Sequence, residues 1–185
     1  IAGVRVIKGT SLYSASFVPN RTAPDPTLTN TKFYFPYTGM ISRDYHGKTL
    51  TKASVNGDNQ IRPKTPYDGV AYDVTKHAGS LQFTASENLS VPSSSDFGFG
   101  TGDFTIEGWL ILNQSYASSN RYLFDFGSNG VRIQLYNNTL YAIVGSTQLT
   151  TTADGLAQHC WFHWVMVRYS GTLKLYINGI ERASA

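Results

Sequence analysis

Trp161-Phe-His-Trp-Val-Met-Val-Arg-Tyr169, then Ser170-Gly171, then Thr172-Leu-Lys-Leu-Tyr-Ile177, then Asn178-Gly179 is the stretch whose reading decides the fold. Nine residues rich in aromatic and β-branched side chains form a long strand, and Ser170-Gly171 turns the chain. Leu173, Leu175 and Ile177 then alternate with Lys174 and Tyr176, the period of a strand with one buried face. Asn178-Gly179 follows, and Asn-Gly is the strongest short signal for a tight hairpin turn.

The same period extends upstream. In Asp103 to Leu112, Phe104, Ile106 and Leu110 fall on one face and Thr105, Glu107 and Trp109 on the other. Val131, Ile133 and Leu135 alternate with Arg132, Gln134 and Tyr136; Asn137-Asn138 turns, and Leu140 to Val144 returns, a second hairpin. Gly3 to Tyr13 reads as one strand, after which Pro19, Pro24 and Pro26 interrupt continuation, so residues 14–30 read as an extended linker. Phe33-Tyr34-Phe35-Pro36-Tyr37 is a short aromatic strand, and Thr38 to Gly79 a long surface excursion with short edge strands. The pattern is antiparallel all-β.

Composition narrows the class. Of 185 residues, 41% are hydrophobic, 14% aromatic and 15% charged, far from the charged, aromatic-poor signature of disorder. The net charge is +3, but Lys and Arg are scattered singly without the stripe that tracks a phosphate backbone, so nucleic acid is not expected as a partner. No apolar run has the length of a membrane span. The single cysteine, Cys160, has no internal disulfide partner and reads as a small buried apolar residue. The opening on Ile1 and the close at Ala185, directly after an apparent strand, read as a piece of something longer.

Three segments together resemble the laminin-G-like branch of the concanavalin A-like lectin/glucanase superfamily. They are Gly79 to Trp109, with Phe97-Gly-Phe-Gly-Thr-Gly-Asp-Phe-Thr-Ile-Glu-Gly-Trp109 at its end; Trp161-Phe-His-Trp-Val-Met-Val-Arg168; and Gly171-Thr-Leu-Lys-Leu-Tyr-Ile-Asn-Gly179. The resemblance covers roughly residues 31–185 and implies a concanavalin A-like jelly-roll β-sandwich. Gly3 to Pro19 resembles the closing strand and exit of such a domain, as found in tandem in virion proteins of marine tailed phages. On that resemblance residues 1–30 are the end of a preceding repeat, and residues 31–185 are a sandwich lacking its closing strands. A sandwich without a strand exposes an unpaired ladder. The arm, through Val4, Val6 and Leu12, is therefore expected to fill the vacancy within the chain or from a neighbouring copy.

Catalytic chemistry finds little support in the residues. A retaining glycosidase needs two carboxyl groups about 5 Å apart, whereas Asp103 and Glu107 lie four residues, about 13 Å, apart along one strand. Glu107 reads as an outward strand carboxylate, and His163 as a hydrogen-bonded structural histidine. His159 and Cys160 are neighbours and would point to opposite faces of a strand, with no nucleophile elbow nearby. Relatives in the resembled superfamily commonly bind calcium near the sandwich rim, which makes Asp125, Asn129, Asn137 and Asn138 candidate oxygen ligands. Tyr116, Arg121, Tyr136 and Tyr141 are candidates for a glycan surface, because sugar rings stack on aromatic faces while polar groups fix hydroxyls. Trp109, Trp161 and Trp164 are assigned to the core or a covered sheet face. The expectation is a non-enzymatic structural and adhesion domain of a virion fibre, appendage or capsid decoration. Its expected partners are other virion proteins or copies of itself, in a homo-oligomer, and a host surface glycan. The alternatives are the accessory module of a glycoside hydrolase and an adhesin at a bacterial surface.

Overall fold

The computed structural model describes residues 1–21, 24–35, 44–53, 60–62, 79–83, 88–113, 120–127, 130–137, 139–151 and 156–185. Fourteen strands are present among them: β1 (Ala2–Lys8), β2 (Thr31–Phe35), β3 (Thr51–Ala53), β4 (Gln60–Arg62), β5 (Ser80–Gln82), β6 (Asn88–Ser90), β7 (Phe104–Ile111), β8 (Arg121–Asp125), β9 (Val131–Tyr136), β10 (Thr139–Val144), β11 (Thr147–Thr150), β12 (Trp161–Tyr169), β13 (Thr172–Ile177) and β14 (Ile180–Ser184). The described residues hold no α-helix, only one 3-10 turn at Ser95–Phe97.

Two antiparallel sheets form the sandwich. One has six strands in the order β14-β13-β12-β7-β1-β2, the other four in the order β11-β10-β9-β8. The short strands pair separately, β3 with β6 and β4 with β5. A single apolar cluster joins the inner faces: Val4, Val6, Ile106, Trp164, Met166 and Leu175 from the larger sheet meet Val131, Ile133, Leu135, Leu140 and Ala142 from the smaller. The Trp164 and Phe124 rings lie 6.4 Å apart within this cluster. Alternation along each strand produces it, since every second side chain must face the same way. Gly108 stands opposite Trp164, and a Cβ there would come within 3.0 Å of the indole, so a side chain at this position would crowd the largest core ring.

Both hairpins expected from the sequence are present, with β9 paired to β10 and β12 to β13, and Asn137, Ser170 and Asn178 take the positive φ their turns require. The loop before β7 is held by Arg168, whose guanidinium donates to the carbonyls of Gly102 and Gly100, each at 2.7 Å.

The N-terminal strand is shorter than Gly3 to Tyr13. It ends at Lys8, and its position is central: Val6 faces Ile106 of β7 on one side and Phe33 of β2 on the other. Val4 and Val6 are thus core residues, while Leu12 lies beyond the strand and donates its backbone N–H to Thr105 Oγ1 at 2.9 Å. Residues 14–21, expected as part of a linker, pack on the sheet together with residues 9–13. They run as a strap over the outer face of the six-stranded sheet, where Tyr13 and Phe17 stack at 3.8 Å and pack on Val165, Val167 and Tyr176. The aromatic strand ends at Phe35, and Pro36 and Tyr37 lie outside the described residues, as does most of the Thr38 to Gly79 excursion.

Candidate functional site

The outer faces of the two sheets are the places where side chains not spent on the core gather. On the four-stranded sheet, burial of Val131, Ile133 and Leu135 turns Arg132, Gln134 and Tyr136 outward, and burial of Leu140 and Ala142 does the same for Tyr141. Register then sets a row across four strands: Tyr122 faces Gln134, Gln134 faces Tyr141, and Tyr141 faces Thr150. Three interstrand spacings make this row about 14 Å long. Tyr122 is 53% exposed and Tyr136, one row further along β9, 41%. The Arg132 guanidinium lies over the Tyr122 ring, 5.7 Å from its centroid, and its buried Nε has no hydrogen-bond partner.

Of the residues singled out for glycan contact, Tyr136 and Tyr141 stand on this face. Arg121 stands opposite Leu135, whose side chain is interior, and so lies off the row; an irregularity in β8 between Tyr122 and Phe124 sets this register. Tyr116 lies outside the described residues. Tyr122, Arg132 and Gln134 were not singled out. The alternation that places Arg132 and Gln134 here was visible, but which face of the second hairpin is open depends on what the rest of the chain covers.

Of the oxygen ligands considered for calcium, the two that are described, Asp125 and Asn137, stand at opposite ends of β9. Asp125 is the register partner of Arg132 near the start of β9, whereas Asn137 follows its end, five residues or about 17 Å further on. The Asp125 carboxylate accepts the Gly127 N–H at 2.8 Å, closing the turn that follows β8. Asn129 and Asn138 lie outside the described residues. Among the described residues no group of three or more His, Cys, Asp or Glu could hold a metal ion. A cleft of about 460 Å³ is walled by Phe97, Phe99, Phe126, Val131 and Val144 with glycine backbone between them and no carboxylate.

On the six-stranded sheet Glu107 corrects the expectation of a solvent-facing carboxylate. It points away from the sandwich interior, yet is only 2% exposed, because the strap lies over it. Arg5, its cross-strand partner, donates through Nε at 2.7 Å and through Nη2 to Oε1; Tyr13 Oη donates to Oε2 at 2.8 Å; His163 Nε2 lies 3.4 Å from Oε2. Burial alone would raise the Glu107 carboxyl, but the His163 ring, the Arg5 charge and the Tyr13 hydroxyl together hold it down to about 2. Burial and the neighbouring carboxylate push the Tyr13 phenol well above its ordinary range. The His163 ring is enclosed by Trp109 at 4.9 Å and Phe17 at 6.0 Å, and its Nδ1 is buried without a partner.

One row crosses five of the six strands on this face. Tyr34, Arg5, Glu107, Val165 and Tyr176 are successive register partners, and all five are buried; half-buried Glu181 of β14 continues it. The strap is pinned above it by Phe17 N–H to the Gly179 carbonyl at 2.8 Å, Glu181 N–H to Ser16 Oγ at 3.3 Å and Lys174 Nζ to the Ser14 carbonyl at 3.0 Å. Gly179, at φ +77°, leaves no room for anything larger, since a Cβ there would sit 1.7 Å from the Phe17 carbonyl oxygen. Cys160, expected to be buried, is exposed in the turn before β12.

Comparison with known proteins follows these lines. A family model described as concanavalin A-like lectin/glucanases superfamily, the laminin-G type Laminin_G_3, matches residues 83–185, a narrower span than 31–185. No curated protein and no solved structure matches the chain. The matched span runs from β6 to β14 and contains the entire four-stranded sheet, while Arg5 and Tyr13, which hold Glu107, come from outside it. By that match over more than half its length, together with its two-layer antiparallel architecture, the chain belongs to the concanavalin A-like lectin/glucanase superfamily.

Proposed function

We propose that this domain is a non-catalytic adhesion module that binds glycans on the outer face of its four-stranded sheet. The observation that carries the reading is the outward row of Tyr122, Gln134, Tyr141 and Thr150 flanked by Arg132 and Tyr136. Tyrosine rings offer apolar faces to the C–H groups of a sugar, while amide, hydroxyl and guanidinium groups bond its hydroxyls. The row is long enough for an extended oligosaccharide rather than a single ring.

Hydrolysis is disfavoured by the state of Glu107. Glycosidases need one carboxyl as acid and another as nucleophile or base, placed on either side of a bond. Glu107 is sealed beneath the strap and engaged by Arg5, Tyr13 and His163. What supports placing the module in a virion is the likeness of Gly3 to Pro19 to the closing phrase of tandem virion domains, and no other feature distinguishes that setting from a cell surface.

The test is calorimetric titration of the chain with a panel of neutral and acidic oligosaccharides. Binding weakened at least tenfold by Tyr141→Ala and by Tyr122→Ala supports the reading. An absence of binding across the panel, binding indifferent to both substitutions, or release of reducing ends during incubation would sink it.

A further inference from the structure

β1 is the most deeply embedded strand contributed by the N-terminal part of the chain, with Ala2, Val4, Val6 and Ile7 each 2% exposed or less, yet residues 9–30 separate it in sequence from β2, its neighbour in the sheet. Its recognition is written in charge as well as in shape. Arg5 meets Glu107, and Tyr13 of the strap reaches the same carboxylate. A slip of one residue would send Arg5 into the apolar interior and leave Glu107 buried without a cation. The slot between β7 and β2 therefore selects one strand in one register.

The only connection from the strap back to β2 is the segment after Arg21. In its described part, Asp25, Thr27, Thr29 and Asn30 are exposed, Asp25 Oδ1 caps the Thr27 N–H at 2.8 Å, and Asn30 holds a left-handed φ of 71°. Pro24 and Pro26 stiffen this segment toward extended conformations. Opening it changes the conformation of the hinge alone. The contacts of Ala2 to Phe17 with β2, β7 and the outer sheet face could be made identically against another copy, while those with the hinge itself, such as the Lys8 N–H to the Asn30 carbonyl at 3.1 Å, would be remade, so closed and exchanged forms share most of their stabilising interactions.

We propose that Ala2–Phe17 is an exchangeable element, and that in a pair of copies the β1 strand and strap of each fill the slot and outer sheet face of the other. The partner is a second copy of this chain. Exchange would carry two open four-stranded faces on one intertwined particle, joined by two crossing hinges.

Val6 and Ile106 are cross-strand partners and report which chain supplies β1. Chains carrying Cys160→Ser with Val6→Cys are mixed unfolded with chains carrying Cys160→Ser with Ile106→Cys, refolded together and oxidised. Exchange predicts a disulfide-linked heterodimer on a non-reducing gel. It also predicts, for the unsubstituted protein, a two-chain mass by light scattering whose fraction rises with the concentration at refolding. A single chain carrying both cysteines controls for folding and geometry. If that control closes its own disulfide while the mixed chains form none and the unsubstituted protein stays at one-chain mass at every concentration, the proposal is overturned.

Discussion

Across the six-stranded sheet, Tyr34, Arg5, Glu107, Val165 and Tyr176 stand in one outward row and all are buried; across the four-stranded sheet, Tyr122, Gln134, Tyr141 and Thr150 stand in an equivalent row, with Tyr122 more than half exposed. Both rows mix aromatic and polar side chains. The difference lies in what covers them. The first is roofed by residues 9–21, and its charges are matched internally, guanidinium to carboxylate to phenol. The second leaves the Tyr122 ring more than half exposed, with the Arg132 guanidinium over it. Polar groups matched beneath a cover are architecture, whereas side chains on an uncovered face are available to something else.

The sharpest way to break this contrast is to remove charge on each side. Glu107→Ala leaves Arg5 buried and uncompensated and should lower unfolding free energy by about 3–5 kcal/mol in urea denaturation. Arg132→Ala, on the open face, should stay within about 0.5–1 kcal/mol in the same measurement. Equal losses would mean the open face is structural too.

Acid probes the covered face through Glu107. The folded Glu107 carboxyl sits at about 2 against an unfolded value of 4.5, so its stabilisation is fully present above pH 4.5 and is lost as pH falls toward 2. Denaturation midpoints followed from pH 7 to 2 should fall more steeply for the native chain than for Glu107→Gln, by the equivalent of about 3 kcal/mol. Parallel curves would show that the carboxylate is not held as described.

Gly179→Ala would test the strap. Its methyl would collide with the Phe17 carbonyl oxygen and its backbone would be held at a positive φ, an expected cost of about 1–3 kcal/mol with faster amide exchange at Leu12 and Phe17. Unchanged exchange there would mean that the strap tolerates displacement. The smallest effect belongs to Tyr122→Ala: its thermal midpoint should hardly move, within about 0.5 kcal/mol of stability, while oligosaccharide affinity drops. A fall in stability with unchanged affinity would reverse the assignment of the two faces.

The hairpins of Val131 to Val144 and Trp161 to Ile177 were legible because strand period and turn chemistry are local properties. So was the inward set of Phe104, Ile106 and Leu110. What period does not reveal is what lies over the other face. Glu107 is covered by Tyr13, 94 residues earlier, and nothing in the neighbourhood of Glu107 announces that contact. Cys160 was misplaced because the usual burial of a free cysteine was assumed for a residue just outside β12, where the thiol stands in a turn beside His159 at φ 63°. Arg121 was singled out and its neighbour Tyr122 was not, and in a strand with an irregular register one position decides the face. Asp125 and the Asn137 turn are close in sequence but are held apart by the full length of β9.

The central seat of β1 has a mechanical side. Ala2 lies at the Trp109 end of the six-stranded sheet, and Ser184 of β14 lies level with Lys174, Val167 and Ile7 at the other. Tension drawn between these strands runs along their axes. The hydrogen bonds that tie β1 to both β7 and β2 are then loaded together in shear instead of opening one at a time, the geometry that resists unfolding under a pull along the strands.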